Sequence, residues 1–241
     1  MTLQNMIDKR KSFRKYTAQP VAQELLDQIR AFVAEAKPLY PDIRVRMEYI
    51  SRENVKCIQS WIPLQFIAIY SEEKDGYLEN AGFIFQQVDL FLQAAGLGSC
   101  WLGLGKPEEK VKNQQSDGLK FVILLAFGYT SDSLREGAAE FKRKPLVELS
   151  DREDARLECV RLAPSSVNSQ PWYFTHEGDL LHTYCSKQGL LKTKVLGDLN
   201  RIDMGIALAH LYVNNPGAFE FFRAEQEPKI KNHTYIGSIK L

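Results

Sequence analysis

Ala163-Pro164-Ser165-Ser166-Val167-Asn168-Ser169-Gln170-Pro171-Trp172-Tyr173-Phe174 is the stretch on which the reading of this chain turns. Two prolines frame a run of small polar residues, and an aromatic cluster follows. Each proline fixes its own φ and biases the residue before it away from helix, so a preceding helix must stop here. Ser165, Ser166, Asn168 and Gln170 carry hydroxyls and amides that both donate and accept hydrogen bonds. Trp172, Tyr173 and Phe174 open a buried strand. The stretch is either a plain helix-to-strand connection or a loop that holds a flat polar ligand without using charge.

The bulk properties narrow the choice of partners. The chain has 241 residues, 44% hydrophobic and 25% charged, enough for a real core in one large domain or two small ones. Its net charge of +1 gives no general attraction to nucleic acid or to an anionic membrane. The longest apolar run, Phe121 to Phe127, is strand-sized and far short of a membrane span. No apolar stretch follows Met1-Thr2-Leu3-Gln4-Asn5, so no signal peptide is expected and the cytoplasm is the expected location. Cys57, Cys100, Cys159 and Cys185 form no CxxC pair, which favours reduced thiols over a disulfide frame. His176, His182, His210 and His233 show no metal-binding spacing, so no dedicated metal site is expected.

Upstream of the polar stretch, Asn5 to Arg10 reads as a short helix. It runs into Lys9-Arg10-Lys11-Ser12-Phe13-Arg14-Lys15-Tyr16. Such a charge run is either a solvated face or, given its interleaved Ser12, Phe13 and Tyr16, a phosphate site. Leu25, Leu26, Ile29, Phe32 and Val33 recur at helical spacing and predict an amphipathic helix up to Lys37-Pro38. Strands are predicted over Arg44 to Ile50, Pro63 to Tyr70 and Lys120 to Tyr129. Between them lie a central helix, Tyr77 to Ala95, and a polar helix from Pro107 to Gln114. After the central helix comes Ser99-Cys100-Trp101-Leu102-Gly103-Leu104-Gly105, where glycines allow close backbone approach to a ligand. Ser131 to Glu140 reads as a linker, and Phe141-Lys142-Arg143-Lys144-Pro145-Leu146 is a second basic cluster. Ser150 and Glu153 have capping-box spacing, which predicts a helix from Leu149 to Ala163. Downstream, a hairpin is predicted over Trp172 to Cys185, then a helix over Arg201 to Val213. Strands over Phe219 to Arg223 and Thr234 to Ile239 close the chain.

The second half echoes the first. Asn80-Ala81-Gly82-Phe83-Ile84 parallels Asp203-Met204-Gly205-Ile206-Ala207, and the helix from Ala22 to Ala34 parallels that from Arg152 to Ala163. The chemistry is divided between the halves. Both basic clusters and the glycine-rich stretch belong to residues 1–149, while the polar loop belongs to residues 150–241.

Together, three motifs resemble the nitroreductase-like flavoprotein family. They are Arg10-Lys11-Ser12-Phe13-Arg14, Ala95-Gly96-Leu97-Gly98-Ser99-Cys100-Trp101-Leu102-Gly103 and Ala163 to Trp172, with Lys142-Arg143-Lys144-Pro145-Leu146 resembling a closing basic motif. The resemblance covers nearly the whole chain. In ordinary members the polar loop comes early and two chains share the FMN site. The late loop here resembles the subgroup in which two diverged halves are fused, so that one chain imitates the dimer and keeps one complete FMN site.

The resemblance implies an α+β fold with a mixed, mainly antiparallel sheet, central helices and an internal pseudo-duplication. It implies that Arg10 and Arg143 bind the FMN phosphate, with Lys11 and Ser12 beside it. Arg14 would lie nearer the ribityl and pyrimidine end, where a cation favours the anionic reduced flavin. The backbone of Cys100, Trp101, Leu102 and Gly103 would pass the isoalloxazine. Pro164, Ser165, Ser166 and Asn168 would contact the flavin from the other half, and Gln86 and Gln87 are the candidates for a polar residue on the central helix. No protein residue would be catalytic, since flavin N5 carries the chemistry. The implied activity is ping-pong reduction of a nitroaromatic, quinone or similar small molecule by NADH or NADPH, in a monomer acting as a pseudo-dimer. The competing readings are an ene-type or dehalogenating reductase on the same scaffold, a non-catalytic FMN carrier, and a degenerate scaffold without flavin.

Overall fold

The computed structural model describes residues 2–187 and 190–241. In chain order the first half holds α1 (Gln23–Glu35), β1 (Val45–Ser51), β2 (Val55–Lys56), β3 (Gln65–Ser71), α2 (Tyr77–Ala94), β4 (Gly98–Leu102), β5 (Lys106–Pro107), α3 (Glu109–Gln115) and β6 (Lys120–Gly128). The second half holds α4 (Glu158–Arg161), β7 (Trp172–Glu177), β8 (Leu180–Ser186), α5 (Leu190–Asn214), β9 (Glu220–Phe222) and β10 (His233–Lys240).

Two four-stranded sheets result, in the orders β1-β3-β6-β4 and β7-β8-β10-β9. Both have the same plan. Two strands form a pair, a long helix follows, and the last strand of the half inserts between that pair and the strand before it. Among the described residues the named strands pair antiparallel throughout, and the one parallel feature is an isolated bridge between Ser150 and Phe174.

The alternation along β3 shows where the core lies. Ile67 and Ile69 join the main core with Ile123, Leu125 and Phe127 of β6, the apolar residues of α2 and α5, and Trp172, Phe174 and Ile239 of the second sheet. Phe66, Ala68 and Tyr70 point the other way and pack with Leu124 and Ala126. The two long helices therefore lie between the sheets. Helix α2 is accordingly buried on nearly every side, its polar Asn80, Gln86, Gln87, Asp89 and Gln93 included.

Helix ends follow local chemistry. Gly96 sits at φ +84°, and Leu97 N reaches back to Leu92 O at 3.0 Å, closing α2 with a left-handed residue that suits glycine. The glycine-bearing run after it is not a loop over most of its length: Gly98–Leu102 is strand β4, at the edge of the first sheet.

The helix expected from Leu149 starts later. Leu149 O accepts from Phe174 N at 2.9 Å, and Asp151 N donates to Phe174 O at 3.0 Å. These bonds to β7 hold Ser150 in a bridge to Phe174, and the Ser150–Glu153 capping box does not form. Asp154 caps the short turn Ala155–Leu157 instead, accepting from Arg156 N at 2.9 Å. The N-terminal helix expected over Asn5 to Arg10 is reduced to a single 3-10 turn, Gln4–Met6.

Candidate flavin site

One cavity lies where the basic entry segment, the edge of the first sheet, the polar loop and α5 meet. Ser12 and Arg14 line it from the entry segment, and Cys100, Trp101 and Gly103 line it from β4 and the residue after it. Pro164, Ser165, Ser166 and Val167 close it from the polar loop. On α5, Leu199, Ile202, Asp203 and Ile206 form a wall that the sequence motifs did not include.

Strand β4 can serve a ligand through its backbone because of its position. On one side it pairs with β6. On the other, Phe13 N donates to Ser99 O at 3.0 Å, and the edge beyond Ser99 borders the cavity. An edge strand leaves N–H and C=O groups for a partner other than a neighbouring strand. Burial raises the pKa of the Cys100 thiol, with Arg14, Arg10 and a Ser12 hydrogen bond pulling the other way, so the group stays neutral. Arg14 stacks over the Trp61 ring at 5.8 Å, a cation–π contact that restrains the guanidinium at the cavity wall.

Four residues upstream of Arg14, Arg10 is 1% exposed and does not line the cavity. Its Nε donates to Asp89 Oδ2 at 3.0 Å. Asp89, on α2, also accepts from Ser99 Oγ at 2.6 Å and from Gln86 Nε2 at 3.3 Å. Gln93 pins the entry segment by both backbone groups of Lys11, each at 3.0 Å. Gln86 Nε2 lies 3.0 Å from His210 Nε2, and His210 Nδ1 lies 2.8 Å from Cys159 O. Burial, aided by Arg10 and Arg143, pushes His210 down to about 3. The neutral ring therefore donates from Nδ1 to the carbonyl and accepts at Nε2, which links α2 to the residues just before the polar loop. Gln87 is committed elsewhere, with Nε2 donating to Lys37 O and Phe83 O.

The polar loop is strained and clamped. Val167, Asn168 and Gln170 have φ of 48°, 57° and 47°, a region that non-glycine residues avoid. Ser166 N donates to both carboxylate oxygens of Asp203 at 3.0 Å, and Gln170 N donates to Ser165 Oγ at 2.9 Å. The second basic cluster supplies the rest of the clamp. Arg143 donates to Ala163 O at 3.1 Å and to Asn168 Oδ1 at 2.7 Å, while Asn168 Nδ2 donates to Lys142 O at 3.0 Å. Lys144 Nζ donates to Ser169 O at 3.0 Å.

The structure thus brings Ser12, Arg14, Cys100, Trp101, Gly103, Pro164, Ser165 and Ser166 to one cavity. Arg10, Lys11, Leu102, Arg143 and Asn168 are not among the residues that line it. Leu102 is buried in the cluster on the outer face of the first sheet. Lys11 lies over the Phe13 ring at 4.9 Å.

Arg10 and Arg143 are joined by a third cation, Arg135, whose Nη1 donates to Arg10 O. Arg135 lies over one ring, Phe141, at 4.1 Å, and Arg143 lies over the same ring at 5.3 Å. Burial and the neighbouring arginines lower both, and Arg143 is pushed down to about 10. Among the described residues, no carboxylate lies within ion-pair distance of either. Sequence reasoning missed Arg135 because its neighbours Ser131 to Glu140 look like a linker. It also missed Asp203, although the repeat aligns Asp203 with Asn80. That alignment has structural content: Asn80 Oδ1 accepts from Leu39 N and Tyr40 N at 2.8 and 2.9 Å, the same service to the first half's loop that Asp203 gives to Ser166.

No helix among the described residues is long and apolar enough to cross a membrane. No group of three or more His, Cys, Asp or Glu residues suited to a metal ion is found among them. The crystal structure of a putative nitroreductase from Thermotoga maritima matches with a TM-score of 0.66 at 19% identity, covering 99% of this chain and 92% of that one. A nitroreductase family protein from Clostridium difficile 630 matches with a TM-score of 0.47 at 20% identity, over 61% of this chain and 95% of its own. An FMN-dependent nitroreductase from Clostridium difficile R20291 gives a TM-score of 0.42 at 17% identity, over 55% and 91% of the two chains. No curated protein sequence matches. The fold is that of the nitroreductases, and the family model described as "Putative TM nitroreductase" matches residues 2–215, so the chain belongs to that family.

Proposed function

We propose that this chain is an FMN-dependent oxidoreductase that uses NADH or NADPH to reduce a nitroaromatic, a quinone or a similar acceptor. The observation that carries the reading is a charge imbalance beside a built cavity. Three guanidiniums, Arg10, Arg135 and Arg143, crowd together, and among the described residues Asp89 is their one ion-paired carboxylate. Arg10 Nη2 is buried with no hydrogen-bond partner among the described residues. A phosphate monoester carries nearly two negative charges and several strong acceptors, which suits that surplus.

The residues present fit the whole cofactor. Arg10, Arg135 and Arg143, with Lys11 and Ser12 beside them, would hold the phosphate. Arg14 would face the ribityl and pyrimidine end. The backbone of Cys100 to Gly103 and the residues Pro164, Ser165 and Ser166 would flank the ring, while Leu102 and Asn168 support those two walls from behind. The chemistry FMN supplies when bound is two-electron transfer between the nicotinamide and the acceptor. What the chain supplies is position: an edge strand for amide contacts, an apolar wall on α5 that excludes water, and cations that favour negative charge on the ligand.

In this reading residues 1–149 and 150–241 are two diverged copies of one unit, and the chain acts as a monomeric pseudo-dimer. The shared strand order of the two sheets supports it. So does the matched service of Asn80 and Asp203. The test is to add FMN to the purified protein and follow the visible spectrum and flavin fluorescence. Saturable binding at one FMN per chain is expected, followed by anaerobic bleaching with NADH or NADPH. An unperturbed flavin spectrum at every concentration would sink the proposal; binding without bleaching would leave a carrier, not an enzyme.

A further inference from the structure

We propose that Asp203 is a hydrogen-bond donor of the cavity, its protonated carboxyl donating to an acceptor atom on the edge of the bound isoalloxazine ring. This rests on the reading of the cavity as a flavin site.

Asp203 lines the cavity at 3% exposure, on the same face of α5 as Leu199, Ile202 and Ile206. Its oxygens accept one backbone N–H, from Ser166, and the Ser169 side chain adds a second bond. Among the described residues no cation pairs with it. Arg14 and the neutral Cys100 line the cavity with it. Cys185 lies near it from β8. The adjacent Arg201 is engaged with Glu79 and Asp75. Removing a carboxylate from water costs more than one amide and one hydroxyl return. Burial accordingly pushes Asp203 up to about 8, against the opposing pull of Ser166 and Ser169.

The other half provides the comparison. Asn80 holds the equivalent place on α2. Its Oδ1 tethers the equivalent loop, and its Nδ2 is a buried donor without a partner among the described residues. Asn80 does not border the cavity. Both halves thus place at this position a side chain that tethers a loop through oxygen and can also offer a donor, the amide Nδ2 of Asn80 or the acid O–H of Asp203. In Asp203 that donor exists only while the carboxyl is protonated, and there it borders the cavity. The apolar wall beside it suits a planar ring with carbonyl or ring-nitrogen acceptors along one edge. Above the carboxyl's pKa the donor is lost and an uncompensated negative charge replaces it, so affinity for the ring falls as pH rises.

The experiment is an FMN titration of the full chain and of Asp203→Asn between pH 6 and pH 9.5, read by flavin fluorescence. It is paired with carbon NMR of the aspartate carboxyls in the FMN-free protein. Asparagine keeps the acceptor and a permanent donor, and Asn80 shows that an amide suits this place. The expected result is an affinity that drops about tenfold or more for the natural chain across that range and is nearly flat for the variant. One carboxyl resonance, absent in Asp203→Asn and moved in Asp203→Glu, should titrate above pH 7. Parallel pH profiles for the two proteins, or a resonance titrating with ordinary carboxylates near pH 4, overturn the inference while leaving the flavin site standing. Failure of both proteins to bind FMN at any pH overturns the flavin reading and this inference together.

Discussion

Gly82 of α2 lies against the backbone carbonyl of Ile202 on α5, so closely that a methyl group there would sit 2.1 Å from that oxygen. The relation is reciprocal, since a methyl group on Gly205 would sit 1.9 Å from Glu79 O. The two glycines hold matching places in Asn80-Ala81-Gly82 and Asp203-Met204-Gly205, and both helices need a bare backbone where they cross. Gly82→Ala should therefore cost about 2–3 kcal/mol or more, because a carbonyl in a packed helix cannot swing aside. A urea titration checks this through a lowered midpoint. FMN affinity should fall with it, since α5 carries one wall of the cavity.

The arginines separate folding from binding. Arg10→Ala leaves Asp89 buried without its cation and should destabilise the fold by about 3–5 kcal/mol. Arg135→Ala removes a guanidinium that has no carboxylate within ion-pair distance among the described residues. It should leave the melting temperature nearly unchanged while weakening FMN binding by about 1.5–3 kcal/mol. Calorimetry of melting and of FMN binding on both variants tests the contrast. Undiminished FMN affinity in Arg135→Ala would take that residue out of the site.

Val167 is 79% exposed and sits at φ 48°. A β-branched side chain there costs roughly 1–2 kcal/mol. Val167→Gly removes that strain but frees the unfolded chain, so a net gain of about 0.5–1 kcal/mol is expected. Thermal unfolding of the flavin-free protein measures it. A loss of stability would mean that the Val167 side chain packs usefully at the cavity.

Two buried groups pull stability in opposite directions with pH. His210 is lowered from 6.5 to about 3. Between those values the unfolded chain binds the extra proton, so His210 makes stability rise with pH. Asp203 is raised from 3.8 to about 8. There the folded chain holds the extra proton, so Asp203 makes stability fall with pH. Each slope is at most ~1.4 kcal/mol per pH unit. They should nearly cancel between pH 4 and 6.5, leaving a decline from pH 6.5 to 8 due to Asp203. Asp203→Asn should abolish that decline, and His210→Gln should extend it down to pH 4. Urea midpoints across pH 4 to 9 decide both.

Local pattern carried much of this fold. The apolar run of α2, its stop at Gly96, the alternation along β1 and the hairpin of β7 and β8 all follow from spacing that neighbouring residues enforce. The failures share a cause. Ser150 and Glu153 have good capping chemistry, yet Phe174, well beyond them in sequence, offers the backbone a better partner. Residues Ser131 to Glu140 look like linker, yet Arg135 reaches Arg10 and stacks on Phe141.

The site divides the same way. By itself the sequence singled out the residues that the fold gathers around one cavity: Ser12 and Arg14, the β4 stretch, and the polar loop at Pro164 to Ser166. Motif chemistry is local, and those residues do line one cavity. Only the tertiary structure decided which protein partners each arginine has. It placed Arg10 on Asp89, turned Arg143 and Asn168 inward to hold the loop, and brought Asp203 to the wall. Those outcomes depend on burial and on partners far away in the chain, and burial is what makes a charge costly, a carboxyl neutral or a histidine silent.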